Sequence, residues 1–566
     1  MAEGGAIAPP PGAPAKRGMG WRIWAVIAVV VIVVLAGTTY VLTRPAGPTR
    51  DTSTLVYYMQ SEPITFDSAD AYDLWSFVTL QNTYDTLVGY NRDTLTLAPD
   101  LATSWTATPD GLHYTFTLRQ NVKFADGSNF TANDVFASFK RVLIWGAPTS
   151  GVDWILNQNL DKTNIPGALW VKDAHTIQMN LTQPYAGFLK TLATAEPAAI
   201  MSSAWIDAHG GIRPANPNEE NAYIKTHSMG TGPYVLDSWA MQNQMVLVKN
   251  PYYWRAWTGT EPTKIVIKFT TDATSRVEAI RTRAADVADL PLTSVADVKD
   301  LAGVIAKGND TVKSEIVAIN ATNPDFVDKR VRQALSWAFD YNGTIANAYA
   351  GFATLLPGPI PKGMQFFEVQ KQWYYQNLTR AQAILDASGH PKATSGPNAG
   401  FRFNGTAFRL VADGTQLEER QTAQLYQTTL QSIGIKTTLT ITTTSAAWDT
   451  IRGGGDYDFF VAHWVLDYLD ADDYVTPMVV SAANGGDYWT TRFADATIDQ
   501  YAVAAKSEQN TAQRATDYQL VWQNAMDNPN MIWFCQQQYV PVHQDYVHGF
   551  WFNPVTWYNF YFYQKT

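Results

Sequence analysis

Four aspartates fall close together in the stretch HWVLDYLDADDY, at positions 467, 470, 472 and 473. Carboxylates so spaced can hold a cation, cap a helix or accept an ammonium group. A calcium loop needs a central glycine and a closing glutamate, and neither is here. Roles in loops and at helix caps suit Asp470, Asp472 and Asp473, while Asp467 stands apart as a candidate for ligand chemistry. Other reactive groups point nowhere in particular. No GxxxxGK[ST] phosphate loop, HExxH zinc helix or GxSxG elbow is present. The histidines, at 113, 175, 209, 227, 390, 463, 543 and 548, are scattered without metal-ligand spacing and read as structural or surface residues. The single cysteine, Cys535, excludes an intramolecular disulfide, a Cys-rich zinc site and an iron–sulfur cluster. It lies in the apolar run MIWFCQQQ, the setting of a buried inert thiol. Paired carboxylates could serve a glycosidase, but a chain with 51 acids offers many such pairs. The expectation is a protein that is not an enzyme and carries no cofactor or metal.

Composition narrows the partners. The net charge is −10 and there are no basic runs, which argues against nucleic acid. Charged residues are only 16% of the chain, whereas aromatics reach 13%, with Trp 20, Tyr 28 and Phe 25. So many rings in so weakly charged a chain imply an aromatic core, a large aromatic recognition surface, or both.

The N-terminus points to a compartment. Residues 1–22 form a Pro/Gly/Ala tail ending in Lys16, Arg17 and Arg22, read as cytoplasmic. The run Ile23–Leu42 then carries no charge and matches the roughly 30 Å of a bilayer core. Trp21, Trp24 and Tyr40 suit its interfaces. Residues 23–43 are read as a single-pass transmembrane signal anchor, with a cleaved signal peptide as the alternative. Leu35-Ala36-Gly37 resembles the start of a lipobox, but Thr38 replaces the cysteine that lipidation needs. Residues 44–53 form a linker to an extracytoplasmic body.

The body must be built from elements that position the candidates. Strand patterns occur at Leu55–Met59, Tyr114–Leu118, Thr176–Leu181, Met245–Val248, Lys264–Phe269, Phe408–Ala412, Lys436–Ile441 and Phe459–Trp464. Helical patterns follow Thr131, Thr274 and Asp328, and fill Leu417–Ile433, Thr497–Ser507 and Thr511–Met526. Strand 408–412, helix 417–433 and strand 436–441 have the length of a βαβ crossover, which requires parallel strands. The mixture predicts α/β lobes.

Segment 112–141, LHYTFTLRQNVKFADGSNFTANDVFASFKR, resembles the signature of the family 5 solute-binding proteins of bacterial ABC importers, the large peptide-binding family. The matching pieces are Leu118-Arg119, Lys123-Phe124-Ala125-Asp126-Gly127 and Thr131-Ala132-Asn133-Asp134-Val135. Further pieces follow in family order, among them Pro63–Asp67, Thr83–Val88, Pro99–Trp105, Gly230–Tyr234, Lys249–Trp254 and Val331–Asp340.

The resemblance implies a type II periplasmic-binding-protein-like α/β fold, with two hinged lobes and an extra domain. By that resemblance, lobe I is 54–88 with 206–315 and 530–566. The extra domain is 89–205 and lobe II is 316–529. It further implies a monomer that captures peptides in the interlobe cleft and delivers them to a membrane permease with its ATPase. His463–Asp470 resembles the family's Trp-x-x-Asp stretch, so Asp467, following Trp464, is expected to accept the peptide α-ammonium. Tyr72-Asp73-Leu74 is expected to face it from a loop, with the backbones of Leu74 and Val465 pairing with the ligand main chain. Asp73 is a second amine partner or a solvated loop acid. Relatives with the same fold binding oligosaccharides, nickel complexes or opines give the alternative reading, and an anchored sensor is a further one.

Overall fold

The computed structural model describes residues 51–566 except 93, 146–150, 212–219, 368–372, 551–553 and 555–557. The chain divides into two units, 1–51 and 52–566. The expected anchor at 23–43 lies outside the described residues. Among the described residues, no helix is long and apolar enough to cross a membrane.

Unit 52–566 is organised by three larger sheets. The first has seven strands, in the order Val304–Ala306, Val542–Gln544, Val287–Ala288, Thr54–Met59, Lys264–Phe269, Gln244–Lys249 and Tyr234–Ala240. Its central strand alternates, burying Leu55, Tyr57 and Met59, as a strand covered on one face must. The second has six strands, in the order Ala353–Leu355, Met531–Tyr539, Asn309–Ile319, Phe459–Trp464, Ala407–Asp413 and Lys436–Thr442. The third is a four-stranded antiparallel sheet of Ala102–Ala107, His113–Leu118, Thr176–Asn180 and Leu169–Asp173. The chain leaves the first sheet at Ala306, enters the second at Asn309, and returns between Tyr539 and Val542.

Local rules explain the elements that carry the site. Ala407–Asp413 and Lys436–Thr442 pair in parallel, joined by helix Leu417–Ser432, as the crossover pattern requires. Gly434 ends that helix at φ +87°, a conformation that costs other residues a Cβ clash. Asp328 caps helix Lys329–Ala338, accepting from the Arg330 amide. The helix expected after Thr274 instead starts at Ala273, because Asp272 accepts from the amides of Thr274 and Ser275 and takes the cap. The Thr131 amide and hydroxyl both donate to Asp134 Oδ2, at 2.7 and 3.0 Å, so the carboxylate arm of a capping box starts helix Ala132–Trp145. Gly127, at φ +86°, makes the expected Asp-Gly turn.

Much of the aromatic excess is core. Phe326, Phe403, Phe408 and Phe459 meet edge-on or tilted beneath the second sheet. Tyr57, Tyr558 and Phe560 do the same beneath the first.

Candidate functional site

Three distant segments converge on Asp467. Strand Phe459–Trp464 ends immediately before the Val465–Asp467 loop. Tyr72 comes from the chain just before helix Leu74–Thr83 and donates its hydroxyl to Asp467 Oδ2 at 2.8 Å. Trp154, opening helix Trp154–Asn157, donates its indole N–H to the same hydroxyl at 3.0 Å. The Asp467 amide donates to Asp473 Oδ2 at 3.0 Å, which fixes the loop against the first turn of helix Asp472–Val479. Glu196, in the short helix Ala195–Ala198, completes the group, and its carboxylate feels the charges of Asp73 and Asp467.

Burial governs the electrostatics. It raises the Asp467 carboxyl to about 7, with the Tyr72 hydrogen bond opposing it. It also raises Asp473, Glu196 and Asp73. Tyr72 is pushed up by burial and then by the Asp467 charge.

Asp73 and Leu74 differ from expectation. Asp73 is not a solvated loop acid: its Oδ1 accepts from the amides of Trp75 and Ser76 at 3.1 and 3.0 Å. That cap starts the helix at Leu74, so the loop ends one residue earlier. Asp73 Oδ2 is buried without a hydrogen-bond partner. Leu74 and Val465, from opposite sides of the site, pack against one hydrophobic cluster. Trp464 is 5% exposed, its ring edge-on to Tyr488 and Trp489 at 5.1 and 6.0 Å.

Of the other clustered aspartates, Asp470 accepts from the Asp472 amide at 3.0 Å at the start of helix Asp472–Val479, and all three are buried. Asp470 is fully buried, bonded bidentately by Arg514 (2.9 and 2.5 Å) and by Lys190 at 2.8 Å. Those cations depress its carboxyl well below the usual range despite burial. Asp472 accepts from the hydroxyls of Tyr468 and Tyr185 at 3.0 and 3.2 Å and lies 3.5 Å from Lys506.

One further cluster has metal-ligand character. Ligand atoms of Glu315, Glu419 and His463 lie within 4.8 Å of one another. Lys313 Nζ already stands 3.1 Å from Glu315, so positive charge is in place. His463 Nδ1 bonds Glu419 at 2.6 Å. Burial lowers the imidazole to about 4 and raises Glu419 to about 8, leaving that pair uncharged near neutrality. The arrangement is a compensated network behind the strand that leads to Asp467.

Sequence reasoning missed Trp154, Glu196, Asp473 and Tyr488 as neighbours of the site. Only Asp473 lay in a stretch already under scrutiny; the others join it through tertiary packing.

Residues 96–486 match the family described as bacterial extracellular solute-binding proteins, family 5 Middle. The chain belongs to that family. Among the relatives of this family 5 chain is the probable D,D-dipeptide-binding periplasmic protein DdpA of Escherichia coli K12. The two are 28% identical over 508 residues, covering 88% of this chain and 92% of the relative. The fold resembles that of the periplasmic binding protein DppA from Helicobacter pylori, solved in complex with the peptide STSA. The TM-score is 0.76 at 22% identity, over 90% of this chain and 98% of that one. It also resembles NikZ from Campylobacter jejuni, solved in complex with Ni(L-His), with a TM-score of 0.74 at 18% identity, over 91% and 100%. The family 5 fold is therefore the type II binding-protein architecture with mixed α/β content.

Proposed function

We propose that this protein is the substrate-binding component of an ABC importer, capturing peptides through their α-ammonium at Asp467. The observation that carries this reading is a half-buried carboxylate at the meeting of several chain segments. It is held by Tyr72 and by its own amide on Asp473, and no ion pair joins it to a described residue. A dipeptide-binding relative and a fold neighbour holding a peptide support it. The ammonium would meet Asp467 in a dry site, where charge-assisted bonds are short and strong. Tyr72, Asp73, Leu74, Trp464 and Val465 frame the ligand, Trp464 by supporting the loop from behind.

We assign lobe I to the seven-stranded sheet, lobe II to the six-stranded sheet and the extra domain to the four-stranded one. The boundaries near 315 and 530 then move to the sheet crossings at 307–308 and 540–541. The body lies outside the cell, held by the segment at 23–43, where it serves a permease.

Calorimetry with di- to pentapeptides, against cello- and xylo-oligosaccharides, tests the reading. Heat from peptides is expected; heat from sugars alone refutes it. Stacking on sugars needs open ring faces, and Trp464 presents none.

A pH dependence follows. Binding an ammonium requires ionised Asp467, whose carboxyl burial places near 7. Lowering the pH from 7.5 to 5.5 protonates it, so affinity for an uncharged-side-chain peptide should fall roughly 20-fold. Titrations at the two pH values check this, and equal affinities would show that Asp467 is not the ammonium partner.

A further inference from the structure

The site holds more carboxyl groups than one α-ammonium can pair with. Asp73, Glu196, Asp467 and Asp473 interact with one another. Among the described residues, no Lys, Arg or His forms an ion pair with any of them; the nearby Lys190, Arg514 and Lys506 are engaged by Asp470 and Asp472. Asp473 is committed to the Asp467 amide through Oδ2. Asp73 is committed to its helix cap through Oδ1. Glu196 takes a hydrogen bond from the Asp73 backbone, which leaves its other carboxylate oxygen without a duty. Glu196 is 8% exposed, and its Oε1 is buried without a hydrogen-bond partner, as is Asp73 Oδ2. A carboxylate taken from water and left unpaired is costly, and such orphaned oxygens mark a place where a partner belongs.

We propose that Glu196, with Asp73 Oδ2 beside it, forms a second cation subsite next to Asp467. The cleft then selects ligands whose bound end carries two positive charges, namely peptides that begin with lysine, ornithine or arginine. This rests on the peptide reading above and deepens it. The α-ammonium goes to Asp467, and the side-chain cation reaches Glu196. The subsite is built from two separate segments: Asp73 is set by the cap of helix Leu74–Thr83, and Glu196 by the buried stretch 195–201. A neutral first side chain would leave the acid pair to take up protons instead, losing the charge-assisted bonds.

The test compares Lys-Ala-Ala with norleucine-Ala-Ala, which keeps the aliphatic stem and lacks the ammonium, and with Nε-acetyl-lysine-Ala-Ala. Calorimetry on the wild-type body is expected to show the lysine peptide binding at least 10-fold more tightly than either. In Glu196→Gln that ratio should fall towards one, with the thermal midpoint confirming a folded variant. Equal wild-type affinities for the three peptides overturn the second subsite while leaving peptide binding intact. A ratio unchanged in a folded Glu196→Gln also overturns it. If none of the peptides binds, the peptide reading fails and the subsite falls with it. The wild-type comparison decides the matter even if the variant does not fold.

Discussion

Asp467→Asn is expected to weaken peptide binding by roughly 30-fold or more. Truncating one partner of a buried charge pair costs on the order of 2–5 kcal/mol, and about 2 kcal/mol is already a factor near 30. The amide keeps the size of the carboxylate and can still accept the Tyr72 hydroxyl that bonds Oδ2 at 2.8 Å. The site therefore loses its charge rather than its shape. Removing a half-buried ionisable acid should leave the thermal midpoint unchanged or raised, so weaker binding cannot be blamed on unfolding. The dependence on pH should flatten in the same variant. Calorimetry with one tripeptide measures both, and wild-type affinity in Asp467→Asn would remove the carboxylate from the mechanism.

The largest stability effect should come from Asp470→Asn. Arg514 and Lys190 both converge on this fully buried carboxylate, at 2.5–2.9 Å. Neutralising it strands a buried guanidinium, which costs about 3–5 kcal/mol. For a body of roughly 500 residues that lowers the melting midpoint by about 3–5 °C. Asp470→Asn combined with Arg514→Met should regain much of the loss, because methionine removes the stranded guanidinium. A double variant no more stable than the single one would show that the bond geometry, not the stranded charge, sets the cost. The sign with pH is also determined. The depressed Asp470 carboxyl adds stability fully above the usual Asp range, and that contribution is lost as acid protonates it.

What was legible in the sequence was local. Periodicity located the strands at Leu55–Met59 and Phe459–Trp464, and the crossover length announced the parallel pair now seen at Ala407–Asp413 and Lys436–Thr442. Gly127 and Gly434 both take a left-handed backbone, at φ +86° and +87°, as glycine at a turn and at a helix end allows. The resemblance to family 5 came from ordered short motifs, and it brought Asp467 with it. What was not legible depends on tertiary approach. Glu196 stands alone among small apolar residues in the sequence, and nothing near it announces a neighbour some 270 positions away. The burial and pairing of Asp470 and Asp472 were not legible because their cations, at 190, 506 and 514, are remote in the chain. The helix expected after Thr274 starts earlier for a simpler reason: the carboxylate of Asp272 takes the cap.

The chain passes between its two larger sheets only through Lys307-Gly308 and Val540-Pro541 among the described residues. These links lie side by side, because Asn309 and Tyr539, the residues flanking them, are ladder partners. Two short adjacent links behave as a door hinge. Bending changes a few dihedrals, whereas sliding or stretching would strain covalent geometry. On the proposed two-lobe reading, motion between the sheets would reduce to one soft angle. On that reading, a ligand clamped between them would set that angle by its thickness, and a receptor docked on the outer face could read occupancy as tilt without touching the cargo.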